Sequence, residues 1–309
     1  MITALARSWR RIPAVVRAIV IGLVVAAAGV APWAGVAGHR GLVGWNLAVA
    51  AQIPWAAAPM ALYLWLYWRY LGGAGWPRAT SEARRLGLRA RHVSGAAWGL
   101  ALIGGLVGLA ASLPLTAIMG RLFVLPHEAE RTMAPAGMPP ATVVVLLIMS
   151  AIVAGVVEEA AYRGYLQGAI ERRHGPVLAI LITGTVFGLG HYNHHPAATV
   201  MMSPYYVWIS AVYGGLAAAT RSILPGLVLH AGGDVLSMVR EWSAGKAEWE
   251  PSTIATPHLV WDTGIDADFV RPVIVFGVLA VLMTLIYAWL ARVRPASAVP
   301  AKEAGQCSR

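Results

Sequence analysis

The sequence predicts an all-α fold, a polytopic membrane helix bundle of about eight transmembrane helices with both termini cytoplasmic. Composition is the first reason: 58% of the 309 residues are hydrophobic, only 12% are charged, and the mean hydropathy is +0.63. Those values lie well off the soluble average. The second reason is that apolar stretches recur near the roughly 20 residues that a helix needs to cross hydrocarbon. The third is that the basic residues alternate in density from one inter-helix segment to the next, as the positive-inside rule requires.

The predicted spans follow in chain order as Ala14–Ala31, Leu47–Trp68, Ala97–Gly120, Ala141–Gly164, Pro176–His191, Ala197–Ala219, Ile223–Val239 and Val270–Ala291. Arg7, Arg10 and Arg11 before the first span resemble a signal peptide. The run is long, Arg17 interrupts its start and further spans follow, so an uncleaved first helix is expected. Pro204 lies within the sixth span, where it could restart a shorter helix. Ser222 is a candidate N-cap for the seventh, with Pro225 in the first turn, where proline is tolerated. The expected organisation is a cytoplasmic segment 1–12, one bundle over 13–291 with its core at 141–240, and a cytoplasmic tail 292–309. The loop Glu241–Asp268 is too short to form a soluble domain.

With the N-terminus inside, sixteen basic residues fall on the cytoplasmic side: Arg7, Arg10, Arg11, the six arginines of 69–91, Arg172, Arg173, Arg221, Arg292, Arg294, Lys302 and Arg309. Five fall outside: Arg40, Arg121, Arg131, Arg240 and Lys246. The net charge of +10 therefore reads as topology and anionic lipid contact, not as nucleic-acid binding. Cys307, the one cysteine, has no internal disulfide partner, and Gln306-Cys307-Ser308-Arg309 is not a prenylation box. The Arg-, Ala- and Gly-rich usage suggests a GC-rich bacterial proteome, hence a bacterial plasma membrane.

Ionisable side chains are costly at bilayer depth and point to function when a chain keeps several there. This chain keeps Glu158 and Glu159, followed by Arg163; His191, four after Phe187; and His230, four before Asp234. Carboxylates and imidazoles are the residue types of acid–base hydrolysis. Glu159 and Arg163 share a helix face and should form a self-neutralising ion pair. Glu158, roughly 100° around the helix, gains no such partner and is the candidate general base. Phe187 should pack beneath His191, and Gly184 and Gly188 offer a face for close helix approach. Asp234 can accept from the His230 ring and fix its tautomer, or donate if protonated. Gly232 and Gly233 thin that helix enough for a peptide backbone to come near. His194 and His195 are expected in a solvated loop.

Taken in this order, Glu158-Glu159-Ala160-Ala161-Tyr162-Arg163, Phe187-Gly188-Leu189-Gly190-His191 and His230-Ala231-Gly232-Gly233-Asp234 resemble the CPBP family. These intramembrane glutamic proteases include the type II CAAX prenyl endopeptidases and bacterial bacteriocin-processing or self-immunity homologues. The resemblance implies a metal-independent, cofactor-free endopeptidase acting on a membrane-associated peptide or protein. In it, Glu158 assisted by His191 activates a water, while His230 and Asp234 stabilise the oxyanion. The eukaryotic CAAX enzymes have Asn where this chain has Asp234, and ionised Asp cannot donate to an oxyanion, so orientation of His230 is an alternative role for it.

Two other classes stay open. A zinc protease could use His191, His230 and a glutamate, although the chain lacks His-Glu-x-x-His. A transporter or an immunity protein could use the same groups without catalysis. Counting 1.5 Å per residue puts Glu158 and His230 roughly 9–10 Å, but His191 about 22 Å, from the cytoplasmic ends of their predicted spans. A single site then requires tilted helices or a later start for the fifth.

Overall fold

The computed structural model describes residues 9, 11–36, 38–124, 138–191, 196–243 and 258–293. His194, His195, Pro135, Cys307, residues 1–8 and the tail from 294 lie outside the described residues. The described chain is almost wholly helical, apart from a two-residue hairpin pairing Gly35–Val36 with His39–Arg40. Four helical segments, Ala14–Ala34, Gly95–Leu122, Pro140–Gly190 and Ala267–Val293, are long and apolar enough to cross a membrane. Their outer faces agree with that reading: Val20, Leu23 and Val24 on the first and Val278, Val281 and Leu285 on the last are exposed. Such apolar surface suits lipid contact.

Helix α1 is Ala14–Ala34, α2 Leu42–Val49, α3 Ala57–Leu71, α4 Ser81–Leu88 and α5 Gly95–Leu122. The expected second span, Leu47–Trp68, is thus not one helix. Ile53 precedes Pro54, a position that disfavours helical backbone. The buried Asn46 side chain holds the resulting turn, donating to the carbonyls of Ala50 (3.2 Å) and Ile53 (2.9 Å) and accepting from Ala56 N–H (2.9 Å).

Helix α6, Pro140–Glu158, runs without interruption into a π-helical segment, Glu159–Gln167, and then into α7, Gly168–Gly190. Within α7 the direction breaks at Gly175, whose φ of 78° is a left-handed conformation that glycine tolerates, and helix resumes at Pro176. The expected fourth span stopped at Gly164, about ten residues too early, and this removes the depth mismatch. Glu158 lies 17 residues before Gly175 and His191 16 residues after it, so the two arms bring them level. The ring of Tyr162 on one arm meets Phe187 on the other at 5.0 Å, consistent with that register.

Helix α8, Pro196–Thr220, continues through Pro204, and α9, Leu224–Ser243, follows a short turn. A brief α10, Val260–Thr263, leads to α11, Ala267–Val293. Arg121 at the end of α5 pairs with Asp266 before α11 at 2.9 Å and holds that carboxyl below its usual range.

Small residues decide which helices meet. A Cβ on Gly105 would lie 2.2 Å from Leu229 of α9, one on Gly108 2.5 Å from Met283 of α11, and one on Gly184 2.9 Å from the Val207 Cα of α8. Close backbone approach of this kind drives helix association in lipid, where burial of apolar surface supplies little. Gly29 seats α1 against α6 in the same way: its Cβ would fall 2.5 Å from Val157 and 3.0 Å from Tyr67. Gly29→Ala is therefore expected to lower stability by about 1–3 kcal/mol, the usual cost of overpacking. Thermal unfolding in detergent checks this, and an unchanged transition would mean that α1 is not locked there.

A polar clamp fixes the start of α9. Arg89 pairs with Glu171 at 2.9 Å and donates to Ala217 O at 3.1 Å, while its own carbonyl accepts Ile223 N–H at 3.2 Å. The buried Ser222 hydroxyl donates to Arg91 O (2.7 Å) and accepts Leu224 N–H (3.3 Å), so it caps α9 and tethers it at once.

Candidate active site

Glu158 stands where α6 passes into the π-helical segment. Such segments widen the turn and are frequent at functional sites. Its side chain is 24% exposed, whereas Glu159 and Arg163 are wholly buried and paired at 3.2 Å. The Arg163 guanidinium also lies over the rings of Phe187 (4.7 Å) and Tyr213 (5.3 Å) and reaches the Ser210 hydroxyl.

Two close approaches bring α9 to the carboxylates. A Cβ on Gly155, one turn before Glu158, would lie 2.7 Å from the Ala231 Cβ, and one on Gly226 would lie 2.9 Å from Glu159 Oε2. His230 is held between them. Its Nδ1 lies 3.0 Å from Glu159 Oε1, and its Nε2 is 3.7 Å from Glu158 Oε2 and 3.5 Å from Asp234 Oδ2. Tyr213 stacks on its ring at 4.9 Å and 10°.

This arrangement departs from the spacing argument at two points. The partner of His230 Nδ1 is Glu159, across 71 positions, with Asp234 further off at the other nitrogen. Glu158, expected to lack a partner, has His230 beside it.

His191 lines the same cavity as Glu158. Its Nδ1 lies 2.8 Å from Phe187 O. A carbonyl only accepts, so Nδ1 carries the hydrogen and, in the neutral ring, Nε2 keeps its lone pair. Phe187 packs under the ring at 4.4 Å and Tyr206 flanks it at 4.7 Å.

Glu158 and His191 line one cavity of about 270 Å³, walled by Ala26, Val30 and Trp33 of α1, by Ser150, Val153, Ala154 and Val157 of α6, and by Tyr162 and Gly190. Trp33 Nε1 donates to Ser150 Oγ at 3.0 Å across it. His230 and Asp234 are not part of this lining. The seven residues singled out by sequence thus form a cavity face (Glu158, His191) and a polar network in which Glu159, Arg163 and His230 are buried and Asp234 is part-exposed, with Phe187 between the arms. Among the described residues, no three His, Cys, Asp or Glu side chains form a set that could hold a metal ion.

Trp33, Ser150 and Tyr162 were not foreseen. Tyr162 had a legible signal, since it follows Glu158 by four and so shares its face. Trp33 had none, because it meets Ser150 across 117 positions.

The segment that carries every one of these ionisable groups, residues 140–236, matches the family model described as type II CAAX prenyl endopeptidase, Rce1-like. This stretch of the chain is similar to that family. The match supports the resemblance to the CPBP family carried by the three motifs. No curated protein and no solved structure matches the chain. The matched segment runs from the first residue of α6 to the middle of α9. Helix α1, which supplies one wall of the cavity, lies outside it.

Proposed function

We propose that the chain is an intramembrane endopeptidase in which Glu158 activates water for attack on a peptide carbonyl, without a metal or other cofactor. The observation that carries this reading is that Glu158 and His191, whose Nε2 keeps a lone pair in the tautomer that Phe187 O selects, line one cavity inside an apolar bundle. A water between them would give a proton to the carboxylate while its oxygen is aligned by the imidazole, which is general-base catalysis. The Glu159–Arg163 pair serves the site indirectly: Glu159 accepts from His230 Nδ1, and His230 in turn stands beside Glu158. The substrate class is a membrane-associated peptide or protein tail, because the cavity opens within helices whose outer faces are apolar. The bundle crosses a bacterial plasma membrane eight times in this reading, with both termini cytoplasmic.

Cleavage of lipid-anchored peptides by the protein in vesicles, with and without chelator, tests the proposal. Activity that survives the chelator and disappears in Glu158→Gln is the expected result. Loss to chelator with rescue by zinc would replace the glutamate mechanism with a metalloprotease. Full biological activity in Glu158→Gln would replace it with a binding or transport role.

Asp234 is separated from the other groups by a substitution that keeps its shape. If Asp234 is ionised and orients His230, Asp234→Asn removes a charge, and activity should fall about 10- to 100-fold. If position 234 instead serves the oxyanion, Asn is a permanent donor where Asp must first be protonated. An Asn variant at least as active as the parent, with a broadened alkaline limb in its pH–rate profile, would reject the orienting role.

A further inference from the structure

The cavity contains a hydrogen-bond donor that the reading above leaves unused. Tyr162 is 6% exposed, and its ring is fixed edge-on to Phe187 at 5.0 Å. Its hydroxyl has no hydrogen-bond partner among the described residues, although buried tyrosine hydroxyls usually find one. The hydroxyl is not sealed off either, since it is absent from the fully buried orphan atoms, and Tyr162 lines the cavity with Glu158 and His191. Glycine at 190 leaves it room: a Cβ there would lie 3.0 Å from the Tyr162 oxygen. The other donors on the cavity wall are less well placed. Trp33 Nε1 is committed to Ser150, and Ser150 itself is eight residues, roughly 12 Å along the helix, from Glu158. His191 Nε2 is an acceptor in the tautomer that Phe187 O selects.

We infer that Tyr162 is a further catalytic residue, whose phenol O–H donates a hydrogen bond to the carbonyl oxygen of the scissile peptide as negative charge develops there. The proposal rests on the endopeptidase reading of this site and deepens it. When water adds, its oxygen bonds to the carbonyl carbon, its proton passes to Glu158, and the C=O π pair moves onto the carbonyl oxygen. Tyr162 stabilises that oxyanion without giving up its proton. Collapse restores the C=O bond, breaks the C–N bond and returns the proton from Glu158 to the leaving amine. A donor aimed where charge develops, in a site that excludes water, acts more strongly on the transition state than on the substrate.

Tyr162→Phe removes the oxygen and keeps the ring contact with Phe187. Measured on the full chain in vesicles, kcat should fall about 10²- to 10³-fold, as for loss of one oxyanion donor, with little change in KM. A kcat within a few-fold of the parent, in a preparation where Glu158→Gln is inactive, would overturn the role of Tyr162 and leave the endopeptidase reading intact. Activity retained by Glu158→Gln would instead overturn the reading on which it rests. A second substitution guards against poor folding of Tyr162→Phe. Incorporation of 3,5-difluorotyrosine at 162 keeps the hydroxyl but makes it more acidic. The alkaline limb of the kcat profile should then move to lower pH, because the ionised phenol no longer donates. A limb that stays in place would reject the proposal, since a purely packing role is insensitive to phenol acidity.

Discussion

Glu158→Gln and His191→Ala are each expected to lower peptide hydrolysis by at least about 100-fold while leaving the protein folded, the scale of lost general-base assistance. In barrier terms that is about 2.7 kcal/mol. The structure explains why the two changes should be mild for stability. Glu158 is part-exposed and faces a cavity, and His230 beside it has a closer partner in Glu159. His191 sits at the end of α7, where its ring rests on Phe187 and Tyr206 and closes no ion pair among the described residues. Single-turnover cleavage and thermal unfolding, measured on the same preparations, check both halves. A parallel loss of melting temperature and activity would mark the residues as structural.

The opposite pattern is expected one residue along. Glu159→Ala and Arg163→Ala should each destabilise the fold by about 3–5 kcal/mol, because either change leaves a charge uncompensated in the core. Both side chains are wholly buried, so water cannot reach the survivor. Glu159→Ala should also release His230, whose Nδ1 would lose its acceptor, and should therefore depress activity even in the fraction that folds. The double change should cost less than the sum of the single ones. Strict additivity in a double-mutant cycle would reject the coupling.

These expectations draw unequally on the sequence and on the folded structure. The ion pair of Glu159 with Arg163 and the packing of Phe187 under His191 were both legible, since each is a contact across a single helical turn. Glu158 was legible as a candidate as well, from the cost of a carboxylate in an apolar run. The partner of His230 was not. Spacing favoured Asp234, on the same helix, but the approach of Ala231 to Gly155 sets Glu159 at Nδ1. The fourth span was bounded by its apolar run, which ends at Gly164, whereas the helix continues beyond it. In the structure the chain passes through it, with Gly164 packed against the carbonyls of Gly87 and Leu88.

By itself the sequence determined that this is an apolar helical bundle, that its ionisable groups cluster in three motifs, and which neighbours pair within a turn. Covalent spacing and the helical repeat settle those matters, and they hold wherever the helix lies. Only the tertiary structure decided that Glu158 and His191 stand level, through the break at Gly175, and that α1 closes their cavity with Trp33. It likewise decided that the Tyr162 hydroxyl is left open to that cavity. Contacts between helices depend on where small residues let two backbones approach. That is a property of pairs of surfaces, and spacing along one chain does not encode which surfaces will meet.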